Sequence, residues 1–195
     1  MKKNNILITG GLSKLGVEFI KLNLKKNIFY ILYNDKTKIQ KLNYLKKNKY
    51  IFFLKVNFKN KNVSRLKSLL RKIHKIDILI FMSSYNPGKK KIYNYSLANL
   101  IDSFYVNYLY HFLILQIIYK KMSKLNQGQI INISSNSALT GGNMIYPYAS
   151  MKAAMSNVIK ALKTDQKFIK SKIKIKNYFF KTISNYKIAA KKIKF

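Results

Sequence analysis

The sequence predicts an α/β fold, a three-layer arrangement in which a parallel sheet is covered by helices on both faces. Two observations predict it. Short, fully apolar runs alternate with longer stretches whose apolar residues recur at helical spacing. A glycine-bearing turn, Gly10-Gly11-Leu12-Ser13-Lys14-Leu15-Gly16, joins the first run to the first helical stretch. Strands that are apolar throughout are buried on both faces, and that burial is the signature of a parallel sheet between helix layers.

Taken in order, the pattern predicts a strand at Ile6–Thr9, a helix over Leu15–Lys25 and a strand at Ile28–Tyr33, which is one βαβ unit. A helix near Lys38–Lys47, a strand at Ile51–Val56, a helix at Val63–His74 and a strand at Ile78–Phe81 continue it. The second half repeats the alternation with a long helix around Leu97–Tyr119, a strand at Gln129–Ser134, a helix over Tyr148–Phe168 and a strand at Lys172–Tyr178. Right-handed crossovers turn such an order into a doubly wound, Rossmann-like sheet. No linker, repeat or low-complexity break divides the chain, so residues 1–195 are expected to form a single domain.

The composition narrows the function classes. The 195 residues are 48% hydrophobic, enough for one core. There is no cysteine, which excludes a disulfide framework and a thiolate metal site, and His74 and His111 share no ligand-like spacing with acidic residues. No metal is expected. The basic start is followed by too short an apolar run for a secretory signal, so a cytoplasmic setting is expected. The longest apolar stretch, Phe104–Tyr119, is interrupted by Asn107, His111 and Gln116 and reads as a buried or interface helix rather than a membrane span.

A net charge of +34 suggests an anionic partner. The charge is spread along every segment, however, and is almost all lysine; Arg65 and Arg71 alone offer the bidentate geometry that grips phosphates or reads bases. Lys, Asn, Ile, Tyr and Phe share A/T-rich codons, so an A/T-rich genome such as that of a reduced symbiont accounts for the lysine excess. No specific nucleic-acid partner is expected.

The turn after the first strand stands where a dinucleotide's pyrophosphate meets backbone N–H groups at a helix N-terminus. Gly10, Ser13, Lys14, Leu15 and Gly16 are its candidate cofactor contacts. At the end of the second strand, where an acidic residue holds an unphosphorylated ribose, the chain has Asn34 and then Asp35. Asn57 follows the third strand and can be read as a plain turn residue.

The fifth predicted strand closes on Ser134-Ser135, a Gly141-Gly142 loop follows, and then Tyr148-Ala149-Ser150-Met151-Lys152 opens a helix. The i, i+4 spacing puts Tyr148 and Lys152 on one helix face, so both can reach one substrate. A free tyrosine, with pKa near 10, is a poor acid or base at neutral pH; a neighbouring ammonium favours the phenolate and moves it toward the working range.

This arrangement resembles the short-chain dehydrogenases/reductases, in which a strand-ending Ser precedes a YxxxK pair at the separation that Ser135 and Tyr148 show. The resemblance implies carbonyl reduction. Hydride passes from a reduced nicotinamide to the carbonyl carbon, Tyr148 protonates the oxygen, Ser135 orients it and Lys152 holds the nicotinamide ribose. Asn107 matches the family's helix-four Asn, which holds a water that relays protons to the Lys. The loop resembles the family's TGxxxGxG with Lys14 at the middle glycine, as pteridine reductases carry an Arg; Lys14 argues for NADPH and Asp35 against it, and NADPH is expected over NADH because most biosynthetic reductases of the family use it. Asn57 resembles, without the charge, the family's adenine-contacting Asp, and it reads equally as the plain turn residue.

The family's D-x-L-V-N-N-A-G has become Asp77-Ile78-Leu79-Ile80-Phe81-Met82-Ser83-Ser84, and beyond the sixth strand the chain is C-terminally shortened, with the final strand and much of the substrate lid expected to be missing. The resemblance is greatest to 3-oxoacyl-acyl-carrier-protein reductase, which implies a small-molecule or carrier-protein-bound substrate, and a homodimer through helices four and five rather than a tetramer. A pteridine reductase-like enzyme and a degenerate, non-catalytic dinucleotide-binding protein are the alternatives.

Overall fold

The computed structural model describes residues 3–34, 39, 43–58 and 63–195. Strands β1 (Asn4–Thr9), β2 (Asn27–Tyr33), β3 (Ile51–Lys55), β4 (Ile78–Phe81), β5 (Gln127–Ser135) and β6 (Lys172–Phe180) form one sheet in the order β3-β2-β1-β4-β5-β6. Every neighbouring pair is parallel. The chain runs outward from β1 to β3, then back across to β4 and outward again to β6. The winding reverses between β1 and β4, which opens a crevice at their carboxyl ends.

The helices are α1 (Lys14–Asn23), α2 (Asn43–Lys46), α3 (Ser64–Lys72), α4 (Leu97–Phe104), α5 (Tyr110–Leu125), α6 (Ser137–Thr140), α7 (Tyr146–Thr164), α8 (Gln166–Ile169) and α9 (Tyr186–Lys192). They cover the sheet as two layers. On one face Leu15, Phe19 and Ile20 of α1 pack with Ala189 and Ala190 of α9 over Ile6, Ile8, Ile80 and Ile131. On the other, Leu66 and Leu70 of α3, Tyr110, Ile114 and Ile118 of α5, and Met155 and Ile159 of α7 cover Leu7, Leu79 and Ile130. β4 is wholly buried, as a central strand between two helix layers must be. The edge strand β6 carries Lys172, Lys174 and Lys176 at alternate positions, which discourages pairing with another chain.

The expected helix from Leu97 to Tyr119 is present but broken and longer: a π-turn at Tyr105–Leu109 separates α4 from α5, which runs on to Leu125. Asn126, in the left-handed region at φ 48°, ends it. The inner side of this stretch enters the core, while the rings of Phe104, Tyr108 and Phe112 meet one turn apart along its flank, Phe104 exposed and Tyr108 partly buried against the core. The expected helix from Tyr148 begins earlier, at Tyr146, with Pro147 in its first turn. It stops at Thr164 rather than Phe168 because the Asp165 carboxylate accepts from the N–H groups of Lys167 and Phe168 and caps α8. Of the helix expected near Lys38–Lys47, residues 38 and 40–42 lie outside the described residues, as does Asp35. Among the described residues, no helix is long and apolar enough to cross a membrane.

α1 lies directly over the loop that feeds it. A Cβ on Gly16 would stand 2.6 Å from the carbonyl oxygens of Gly10 and Gly11, which are backbone and cannot swing aside. Gly16→Ala is therefore expected to destabilise the chain by about 1–3 kcal/mol, the usual range for overpacking, read as a lower urea midpoint at unchanged slope.

Candidate active site

The site is built at the carboxyl ends of β1, β4 and β5, on either side of the winding reversal. After β1, Gly10 turns at φ 69°, and a Cβ there would meet the Ser83 backbone nitrogen at 2.5 Å. The β1 and β4 ends thus approach closely because Gly10 has no side chain. Ser13 caps α1, its hydroxyl accepting from Gly16 N–H at 3.1 Å. The resulting glycine cradle at the N-terminus of a ten-residue helix fits an anionic pyrophosphate, since first-turn N–H groups lack intrahelical partners. Leu15 is buried, and Lys14 is exposed with its ammonium 5.8 Å from the centre of the Tyr186 ring.

Ser135 ends β5 and accepts from the N–H and the hydroxyl of Ser137, at 3.3 and 2.8 Å. With both lone pairs used, its own proton is left for the neighbouring Tyr148 phenol, whose pKa the Ser135 hydroxyl lowers. Tyr148 is half-buried near the start of α7. One turn on, Lys152 is buried, and its Nζ donates to the carbonyls of Ile133 at 3.2 Å and Ser83 at 3.4 Å, and stands 6.0 Å from the centre of the Tyr148 ring.

The electrostatics differ from the expectation that Lys152 pulls the phenol toward neutrality. Burial pushes the Tyr148 pKa above its ordinary value, and the Ser135 hydrogen bond opposes that only in part. Lys152 is lowered to about 8, by burial of its own charge. The ammonium is turned to strand-end carbonyls rather than to the phenolic oxygen, so it does not offset the desolvation of the tyrosine.

Asn107 sits in the π-turn, fully buried. Its Oδ1 accepts from Tyr85 N–H at 2.9 Å, and its Nδ2 donates to Tyr85 carbonyl at 2.8 Å and to Ser103 Oγ at 3.0 Å. The amide thus clamps the chain leaving β4 against the helix. One turn further, His111 is buried with Nε2 at 2.6 Å from Ser83 Oγ and 3.2 Å from Thr9 Oγ1. Sequence reasoning gives His111 and Thr9 no role in the site, and takes Ser83 only as part of a Ser83-Ser84 likeness to pteridine reductases. The signal available was the i, i+4 spacing of Asn107 and His111 in an apolar stretch.

A cavity of about 880 Å³ joins these parts, with Ser13 and Lys14 toward one side and Ser135, Tyr148 and Lys152 toward the other. Lys181, Thr182, Ile183 and Tyr186, beyond β6, also line it. This segment supplies cover where the sequence led us to expect much of the lid to be missing. An adjoining cavity of about 360 Å³ is lined by Gly10, Tyr33, Asn34, Phe58 and Tyr85. Asn34 is exposed at the end of β2; Asn57 is exposed after β3 and lines neither cavity.

No sequence among curated proteins matches the chain. Among solved structures, Escherichia coli serine dehydrogenase superposes with a TM-score of 0.86 at 15% identity, over 96% of this chain and 88% of its own. ElxO with NADP bound superposes at 0.78 and 24% identity, over 93% and 74%. A Bacillus thuringiensis chain provisionally assigned as a 3-oxoacyl reductase superposes at 0.79 and 20% identity, over 94% and 78%. At such identities these likenesses are of fold. The family profile described as short chain dehydrogenase matches residues 4–179, most of the length, and so the chain belongs to the short-chain dehydrogenases, oxidoreductases that bind a nicotinamide dinucleotide.

Proposed function

We propose that the chain, acting as one domain, reduces a carbonyl to an alcohol with NADPH, its substrate a 3-oxoacyl group carried as a thioester on acyl carrier protein. The convergence of Ser135, Tyr148 and Lys152 at one end of the large cavity is the observation that carries this reading. A bound reduced nicotinamide supplies the hydride. Gly10, Ser13, Lys14, Leu15 and Gly16 would hold its pyrophosphate, and Lys152 its ribose. The phenol of Tyr148, kept protonated by burial, donates its proton to the carbonyl oxygen. With substrate bound, Ser135 turns its one O–H from the phenol to that oxygen, while Ser137 keeps hold of its lone pairs. Asn107 anchors the β4 end beside Lys152 and keeps one Oδ1 lone pair for a relay water. Hydride transfer to carbon and proton transfer to oxygen together complete the alcohol.

Several features support the finer choices. Lys14 at the cradle favours the 2′-phosphate form, Asn34 puts no charge against that phosphate, and the structural neighbour ElxO holds NADP. A basic surface suits an acidic carrier protein, and a provisionally assigned 3-oxoacyl reductase shares the fold. The flanking row of Phe104, Tyr108 and Phe112, with Phe104 exposed, suits pairing of two copies. The lysine excess suits an A/T-rich genome in a cytoplasmic bacterial setting.

Four measurements test these assignments. NADPH oxidation with an acetoacetyl thioester is the direct assay, and no turnover with any oxoacyl thioester refutes the substrate. Tyr148→Phe is expected to lower kcat about 100- to 10,000-fold, the usual contribution of a positioned acid, while cofactor still binds. The charged form of Lys152 is the working one and is lost as pH rises through about 8, so reduction should fall on that limb; activity flat to pH 10 contradicts the assignment. NADPH should bind about tenfold more tightly than NADH, roughly 1.4 kcal/mol, with the margin narrowing as salt is added.

A further inference from the structure

We propose that His111 is a positioning residue for Lys152: as a neutral hydrogen-bond acceptor it fixes Ser83, whose carbonyl holds the buried ammonium. Its catalytic consequence rests on the carbonyl-reductase reading above; its geometry does not.

The protonation state follows from the donors around the imidazole. Thr9 Oγ1 accepts from the N–H groups of Met82 at 3.0 Å and Ser83 at 3.1 Å. A hydroxyl has two lone pairs and one proton, so Thr9 can meet His111 Nε2 only as a donor. Nε2 is therefore unprotonated, its one lone pair taking chiefly the Ser83 hydroxyl at 2.6 Å with the Thr9 proton sharing it from 3.2 Å, and the ring proton lies on Nδ1, which faces the Asn107 carbonyl one turn back without a hydrogen bond of ordinary geometry. Phe81 packs on the ring, with centroids 4.8 Å apart, and fixes its plane. Full burial and the Lys152 ammonium both disfavour an imidazolium there.

Every polar group of Ser83 is thereby engaged. Its N–H donates to Thr9, its hydroxyl to His111, and its carbonyl accepts from Lys152. The carbonyl stabilises the charged form of a lysine that burial otherwise discourages. Without the acceptor at position 111, the serine loses its side-chain anchor and the carbonyl is free to turn from the ammonium.

The test uses His111→Gln, whose Oε1 can reach the place of Nε2 and accept, and His111→Met, of equal length with no strong acceptor. Three readouts apply. His74 and His111 are the two histidines of the chain, so the signal lost in His111→Gln identifies His111 in nitrogen-labelled protein. It should show the Nδ1–H tautomer across roughly pH 5.5–8.5, the range in which an ordinary imidazole titrates. An Nε2–H or protonated ring overturns the proposal.

Competitive acetylation of Lys152 by acetic anhydride, followed by peptide mass spectrometry, reads its ionisation on the free protein. In His111→Met the midpoint should fall by about one pH unit, because an acceptor for the ammonium is lost, and in His111→Gln it should stay. A merely loosened core admits water and moves the midpoint upward, the opposite direction; that shift, or none, overturns the proposal. Ser83→Ala, which removes only the linking hydroxyl, should repeat the downward shift and serves if His111→Met fails to fold.

In turnover, the alkaline limb should move with the acetylation midpoint and kcat fall about tenfold in His111→Met, with His111→Gln near wild type. An unmoved limb in a folded His111→Met overturns the catalytic consequence. A wild-type chain that reduces no carbonyl removes the proposed function, while the tautomer and acetylation measurements still decide the role of His111.

Discussion

The hydroxyl of Thr9 holds the two halves of the sheet together where the winding reverses. It ends β1, accepts the first two N–H groups beyond β4, and donates to a histidine on the helix that crosses both. A parallel sheet that reverses its winding must leave a gap between the two strand ends, and backbone groups facing that gap need partners or water. In this chain one buried side chain supplies them. Gly10 permits the approach because a Cβ at that point would collide with Ser83. The glycine loop, the β4 end and the buried lysine therefore share one joint, and their relative positions cannot be changed independently.

The same joint accounts for a buried cation in a chain with 39 basic and 5 acidic side chains. With so few carboxylates, lysines find oxygen elsewhere. Lys121 donates to the carbonyls of Leu70 and Ile73 at the end of α3, and Lys176 to that of Lys194. Helix-terminal and strand-terminal carbonyls carry partial negative charge and lack partners within their own element, so they are natural sites for ammonium groups. Lys152 is the buried instance, held by Ile133 and Ser83. A carbonyl neutralises less charge than a carboxylate does, and burial accordingly lowers this lysine to about 8. Its charge then depends on both acceptors staying in place.

Tyr148 shows how local chemistry and environment can pull apart. The i, i+4 pairing with Lys152 suggests a phenol made more acidic by a neighbouring cation. In the folded chain the phenol is desolvated while the ammonium faces away toward carbonyls, so the tyrosine stays protonated. Ser137, with no role assigned from the sequence, occupies both lone pairs of Ser135 and so aims its proton at the phenol. A hydrogen bond's direction is decided by what else its partners accept, which lies outside any linear motif.

By itself the sequence determined what depends on short-range pattern: the parallel α/β architecture, from apolar strands alternating with amphipathic helices, the glycine turn before α1, and the Tyr148–Lys152 pair on one helix face. Those features are set by backbone geometry within a few residues. The ends of α7 and the π-turn were not legible, because an Asp165 cap and a one-residue widening around Asn107 depend on where the helix meets its neighbours. Tertiary structure alone decided that Thr9, Ser83, His111 and Lys152, far apart along the chain, form one hydrogen-bonded unit, and that residues 181–186 line the cavity. The physical reason is that desolvation and hydrogen-bond saturation belong to the packed environment. A residue's type states what it can donate or accept, and only the fold brings the partners and excludes the water.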